Sequence, residues 1–260
     1  PARTVVVAGH GREQIEAAMG TRCTIALQEP QLGTGHAVQQ AADPLAGFDG
    51  DVLVLYGDVP FVRAETMRRM IDRLHEGDRP ASVVLAFRAA DPGAYGRVVS
   101  EDGRTIARMV EFKDASEAER AVTLCNSGMM AVRSADLFAL LARIGNDNAA
   151  GEYYLPDIVM TALGDGRASA LVETDEAEVQ GINSRGELAR AEAQWQALRR
   201  EEAMAAGVTL RAPETVFFSY DTELAEDVTI EQNVVFGPGV SVARGARIRA
   251  FSHLEGARVG

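Results

Sequence analysis

Two short segments carry residue types and spacings suited to phosphate and nucleoside chemistry. In "LQEPQLGTGHA", Gly33, Thr34 and Gly35 stand between a strand-like run and a helical pattern, where backbone amides free of side chains can approach a ligand closely and a helix N-terminus faces it. The turn lacks both GxGxxG spacing and the lysine of a P-loop, so alone it could serve topology only. In "DVLVLYGDVP" a buried-type strand ends on Tyr56, Gly57 and Asp58. Ligands of open parallel sheets lie beyond the carboxyl ends of strands, and a carboxylate there can hold Mg²⁺ against a nucleotide phosphate. Asp58 could instead cap the next helix through Pro60, and Gln28 could be a plain surface residue at its strand end. In a further segment, "VEFKDA", Glu111 stands beside Lys113, where the two could form a surface ion pair.

Other reactive types carry less. Cys23 and Cys125 have neither CxxC spacing nor a histidine cluster beside them, so they read as reduced core thiols. His10, His36, His75 and His253 lack partners in sequence and read as structural or solvated, while Tyr153 and Tyr154 read as packing residues. Of the 26 basic residues only Lys113 is lysine, and the arginines are scattered.

The elements that must position these residues follow from periodicity. Apolar runs "RTVVVAG", "CTIALQ", "DVLVLYGD" and "ASVVLAFRA" alternate with amphipathic stretches such as "RAETMRRMIDRLHEG", the pattern of βαβ units with a sheet buried on both faces. From Gly96 to Met130 strands flank an "EDG" turn and predict an antiparallel insert on the sheet edge. A helix is expected from Ser184 to Ala205, with Leu188, Ala191, Trp195 and Leu198 on one face. Beyond it the period becomes six: Val228, Val234, Val240, Ala246 and Ser252, and two positions later Ile230, Phe236, Val242, Ile248 and Leu254. That is the signature of a hexapeptide parallel β-helix, three hexads to a coil. The domains expected are 1–186, a helical linker and connector 187–227, and a solenoid stub 228–260 of fewer than two coils, labile through its uncapped edge.

Composition bounds the function. With 47% apolar and 25% charged residues in 260, the chain belongs among globular proteins, and its formal charge of −12 disfavours a general nucleic-acid binder. No apolar run approaches the roughly 18–20 residues of a membrane span, and the start has no cationic segment followed by an apolar one, which reads as a cytoplasmic chain without membrane partner. The opening on Pro1, directly into a strand-like run, reads as part of a longer chain.

The series "LQEPQLGTGHA", "LYGDVP", "DPGAYGRVV", "VEFKDA", "CNSG", "GEYYLPDI" and "VQGINSR", followed by hexapeptides, resembles the bifunctional N-acetylglucosamine-1-phosphate uridyltransferases / glucosamine-1-phosphate acetyltransferases over essentially the whole chain. Asn183 in "GIN" stands where related thymidylyltransferases usually carry aspartate. The resemblance implies an α/β, Rossmann-like nucleotidyltransferase domain on a mixed, mainly parallel sheet, then the start of a left-handed β-helix. It implies UTP and N-acetylglucosamine 1-phosphate as substrates, UDP-N-acetylglucosamine for cell-envelope precursors as product, Mg²⁺ as cofactor, and a homotrimeric parent that also acetylates glucosamine 1-phosphate from acetyl-CoA. By that likeness Gln28, Gly33 and Thr34 contact the uracil; Tyr56, Gly57 and Asp58 lie along ribose, sugar and phosphates; Gly96, Glu111 and Asn126 hold the N-acetylglucosamine moiety; and Asp58 and Asn183 ligate the metal. Pro156 departs from the threonine common in the family. The family's glycine-rich loop and lysine would precede residue 1 and the acetyltransferase residues would follow Gly260, so these 260 residues alone are expected to be inactive. The alternatives are a monofunctional sugar-1-phosphate nucleotidyltransferase with an oligomerising tail and a non-catalytic sugar-nucleotide regulator.

Overall fold

Runs rich in valine, isoleucine and leucine form the strands, and the polar stretches between them form helices that lie on their faces. The computed structural model describes residues 1–260. Its backbone divides into two units, Pro1–Gly181 and Ile182–Gly260.

The first unit opens with β1 (Val5–Ala8), α1 (Arg12–Met19) and β2 (Thr24–Leu27), a βαβ crossover whose strands pair in parallel. A short α2 (Thr34–Gln39) leads to β3 (Asp51–Val54), α3 (Ala64–His75) and β4 (Ser82–Arg88). The edge insert follows as β5 (Arg97–Val99), β6 (Arg108–Val110) and the four-residue α4 (Glu117–Arg120), held by a Ser116/Glu119 capping box. Then come β7 (Leu124–Arg133), α5 (Ser134–Leu141), α6 (Asp157–Gly164) and β8 (Ala170–Thr174).

The main sheet has the order β6-β5-β7-β4-β8, with β3 also paired to β7. It is mixed: β4 and β8 run parallel, whereas β7 is antiparallel to β3, β4 and β5. Antiparallel pairing thus extends beyond the edge insert, because the ten residues of β7 run the length of the sheet and serve three neighbours. Side chains alternate between two cores, as a sheet covered on both faces requires. Val84, Ala86, Met130 and Val132 pack with Leu137, Leu141, Ile158 and Val159 of α5 and α6. Val83, Leu85, Phe87, Met129 and Ala131 pack with Met70 and Leu74 of α3. Cys125 is buried in the second core as a free thiol. The register of β4 on β7 breaks midway: from Val84↔Met130 to Ala86↔Asn126 one strand advances two residues and the other four. This bulge lies in "CNSG", with Ser127 Oγ donating to Leu85 O at 2.7 Å.

The second unit opens with α7 (Arg185–Ala205), N-capped by Ser184, whose hydroxyl accepts from Glu187 N–H at 3.2 Å. Nine short strands follow: β9 (Thr209–Leu210), β10 (Val216–Phe217), β11 (Glu223–Leu224), β12 (Thr229–Ile230), β13 (Val234–Phe236), β14 (Ser241–Val242), β15 (Arg247–Ile248), β16 (His253–Leu254) and β17 (Arg258–Val259). They pair in parallel as β9-β12-β15, β10-β13-β16 and β11-β14-β17, three faces of the start of a left-handed β-helix. Val216 lies beside Val234, eighteen residues on, so one coil is three hexads. Phe218 and Phe236 stack inside at 5.3 Å.

The solenoid starts earlier than the hexads from Val228 suggest. β9, β10 and β11 lie within 187–227, the stretch read as a helical linker and connector, and make the strands three coils rather than fewer than two. The period was already present at Val216 and Thr222, and at Phe218 and Leu224, but two extra residues after Val208 shift its phase. On α7, Leu188 and Leu198 are exposed while Gln196 and Ala203 are buried, and Trp195 and Ala203 pack against the solenoid core. Gln196 binds both backbone groups of Phe218: its Nε2 donates to the carbonyl at 2.8 Å and its Oε1 accepts from the amide at 2.9 Å. No helix is long and apolar enough to cross a membrane.

Replacing Gln196 by alanine strands a buried donor and acceptor on Phe218, which costs about 1–3 kcal/mol. Thermal unfolding followed by hydrogen exchange should show earlier melting and faster exchange at Phe218; unchanged protection there would mean that the helix does not hold the first coil.

Candidate functional site

The Gly33–Gly35 turn is stitched to the segment before α6. Tyr153 N–H donates to Leu32 O at 2.9 Å, Gly35 N–H donates to Tyr153 O at 2.7 Å, and Leu155 N–H donates to Thr34 Oγ1 at 3.0 Å. Gly33 has φ +106°, and a Cβ there would sit 2.7 Å from Tyr153 O, so only glycine fits. Since α2 has six residues, the turn contributes the geometry of its backbone rather than a helix terminus. Tyr153 acts here through its main chain, while its ring packs against the first core.

Gln28 follows β2 and is only 9% exposed, which removes the reading of it as a plain surface residue. Its Nε2 donates to Gly33 O at 2.9 Å and lies 3.1 Å from His36 Nδ1. His36, without an evident partner in sequence, is thus held between two glutamine amides, the second being Gln40 at 3.2 Å from Nε2.

β3 runs out at Val54, and the turn after it carries the next group of expected site residues. Tyr56 is half-buried, its ring against Gly128; that glycine has φ +85°, and a Cβ on it would come within 2.5 Å of Tyr56 Cε2. Burial pushes the Tyr56 phenol up to about 12, against a hydrogen bond with the Thr34 side chain, and the nearby carboxylates of Glu111 and Asp58 act with burial. Asp58 and Gly57 are exposed. No helix cap involves Asp58, because α3 begins at Ala64 with Arg63 as its N-cap. The carboxylate makes no hydrogen bond or ion pair, which leaves its oxygens free for a hard cation that completes its shell with water and phosphate.

Gly96 just before β5, Glu111 just after β6 and Asn126 within β7 come together. Asn126 N–H donates to Gly96 O at 2.9 Å, and the Glu111 carboxylate lies against Gly96. The β7 bulge turns the Asn126 side chain so that its Oδ1 accepts from Gly128 N–H at 2.9 Å. Glu111 has no ion pair with Lys113. Burial, then Asp157 and Asp114, raise its carboxyl, and Asp157 is raised by burial and Asp114. This acid-lined face accepts hydrogen bonds and repels anions, which suits hydroxyls and amides rather than phosphate. Asn183 lies in the second unit, exposed just before α7, with its N–H donating to Glu187 Oε2 at 2.6 Å.

Sequence reasoning missed Arg97. This residue is 2% exposed and has no carboxylate partner; its guanidinium donates to the carbonyls of Pro92, Gly93, Tyr95 and Arg120. Arg97 and Arg120 both lie over the Phe112 ring, at 5.5 and 4.7 Å. The charge therefore ties the loop entering Gly96 to the segment following Glu111. An arginine inside the strand "YGRVV" next to glycine was the available signal.

Residues 1–152 match the family of MobA-like NTP transferase domains. The chain belongs to that family. The NTP transferase unit is also similar in fold to a UDP-glucose pyrophosphorylase complexed with UDP-glucose, with TM-score 0.55 and 16% identity over 74% of this chain and 80% of that one. A putative glucose-1-phosphate thymidylyltransferase from Bacillus anthracis gives TM-score 0.55 at 17% identity, over 73% and 74% of the two chains. Among curated relatives, "Bifunctional protein GlmU" of Sphingopyxis alaskensis is 67% identical over 260 residues, all of this chain and 57% of its own length. The protein of the same name from Novosphingobium aromaticivorans is 68% identical over 238 residues, 91% of this chain and 52% of its own. The chain thus spans a little over half the length of these relatives.

Because the raised Glu111 carboxyl binds its proton more tightly folded than unfolded, stability is lost as pH rises from the ordinary carboxylate value near 4.3 through the raised one. Glu111→Gln should therefore melt about 1–2 °C higher at neutral pH. The gain should vanish below about pH 4. A calorimetric gain that persists at low pH would assign the effect to packing instead.

Proposed function

We propose that the protein carrying this chain transfers a uridylyl group from UTP to N-acetylglucosamine 1-phosphate. A phosphate oxygen of the sugar phosphate attacks the α-phosphorus in line, the new P–O bond forms as the bond to the β-phosphate oxygen breaks, and pyrophosphate leaves with the electron pair. No covalent enzyme intermediate is needed, and positioning supplies the rate. The observation that carries this reading is the convergence of Gly96, Glu111 and Asn126 on an acid-lined face beside Tyr56, which is itself bonded to the Gly33–Gly35 turn. Two acceptor-rich side chains there suit sugar hydroxyls and an acetamido group, while Gln28, Gly33 and Thr34 form a separate polar edge for a base. Tyr56, Gly57 and Asp58 lie along the ribose and phosphates. The likeness to proteins named GlmU supports the same assignment.

Asp58 is the residue of the first unit that we assign to Mg²⁺; an exposed carboxylate without a protein partner fits an ion that keeps water and phosphate in its shell. When bound, the ion neutralises charge on the phosphates. Residues 1–186 form the uridyltransferase module, α7 its helical connection, and the strands from Thr209 onward belong to a β-helical module that acetylates glucosamine 1-phosphate from acetyl-CoA in a cytoplasmic homotrimer.

In the full-length gene product, Asp58→Asn should lower pyrophosphate release by about 10² or more, the scale of losing one charge-stabilising group. Its melting temperature should stay put, because the carboxylate makes no hydrogen bond or ion pair in the fold. A variant retaining most activity at limiting Mg²⁺ would remove Asp58 from the metal site, and a wild type that releases no pyrophosphate from UTP and N-acetylglucosamine 1-phosphate would overturn the whole reading.

A further inference from the structure

Gln28 lines a cleft of about 640 Å³ bounded by Gly9–Gln14, the turn after β1 and the start of α1, and by residues 27–31. The orientation of its amide is fixed by chemistry. A carbonyl oxygen only accepts, so the atom 2.9 Å from Gly33 O must be the NH₂ group, and that same nitrogen lies 3.1 Å from His36 Nδ1. Both amide hydrogens are thereby committed inside the protein. Oε1 remains without a hydrogen bond, the one polar side-chain atom that Gln28 can offer to the cleft.

His36 stands at the centre of this arrangement. A neutral imidazole accepts at one nitrogen only, and both ring nitrogens face amide NH₂ groups, since Gln40 Nε2 is committed to His36 O at 2.9 Å. Gln28 is the more buried of the two glutamines, so leaving its donor unmatched costs more. The accepting nitrogen is then Nδ1, and the proton is on Nε2. Flipping the Gln28 amide would set its oxygen against both Gly33 O and the Nδ1 lone pair.

We infer that His36 is a specificity-determining positioning residue: it locks Gln28 with its oxygen toward the base, so that the site selects a pyrimidine carrying an N–H at N3 over one carrying a lone pair there. Uracil presents that N–H, whereas cytosine presents an acceptor at N3. The inference rests on the reading of Gln28 as a base contact given under Proposed function. A side chain that merely packed would leave base preference untouched.

The test uses the full-length protein with N-acetylglucosamine 1-phosphate and either UTP or CTP. His36→Leu should lower the UTP/CTP ratio of kcat/KM by about tenfold, the worth of one matched hydrogen bond, with KM for the sugar phosphate unchanged. His36→Asn, whose Oδ1 can accept near the place of Nδ1, should restore most of the ratio. Nitrogen NMR of the wild-type imidazole should find Nδ1 unprotonated, a measurement that needs no variant to fold. A protonated Nδ1, or an unchanged ratio in a UTP-selective enzyme, overturns the lock alone. A wild type that does not discriminate UTP from CTP overturns the role of Gln28 and the lock together.

Discussion

The contact between the Leu32–Gly35 turn and Tyr153–Leu155 is the constraint on which the rest of the first unit's site depends. Two main-chain hydrogen bonds and one to Thr34 Oγ1 join segments more than a hundred residues apart. From that junction Thr34 reaches Tyr56, Gly33 O holds Gln28, and Leu155 enters the core with α6 behind it. The glycine at 33 is needed because the two backbones approach too closely for any Cβ. Gln28 and Tyr56 are thus positioned by one piece of main-chain geometry, and loss of the turn would misplace both together.

Opposing charges are kept apart by the same fold. Glu111, Asp114 and Asp157 accumulate on one side without a cation, while Arg97 is buried nearby and satisfied only by carbonyl oxygens. A buried guanidinium without hydrogen bonds would be costly, and here its planar fork matches four carbonyls, a geometry that lysine cannot reproduce. The carbonyls it collects belong to the loop that delivers Gly96, so the cost of burial is offset by order at a position where the site needs it.

Much of this was legible in the residues. The alternation of apolar runs and helices defined the α/β unit, the six-residue period defined the solenoid, and "GTG", "YGD" and "CNSG" marked the segments that converge. The first coil escaped because two additional residues after Val208 break the phase, even though Val216 and Thr222 keep it. The apolar stripe on α7 misled for a different reason: Leu188 and Leu198 satisfy helical spacing, yet what the solenoid needed was an amide at 196 to pair with Phe218. Arg97 and the His36–Gln28 contact depend on where main-chain carbonyls fall in three dimensions, and no local pattern encodes that.

In the solenoid, inward residues pair with those one coil away: Val216 with Val234, and Ile230 with Ile248, each eighteen apart. Thr209 and Thr229 are twenty apart and Ser241 and Arg258 seventeen, so the corners absorb small discrepancies while the strands do not. Those corners include left-handed residues at Asp227, Asn233, Gly239, Gly245 and Phe251, six apart. For evolution by insertion and deletion this sets a quantum. Whole coils can be gained or lost in steps of eighteen residues without disturbing any inward side chain, and single residues can be traded at corners, but a change of one residue within a strand would turn that face inside out.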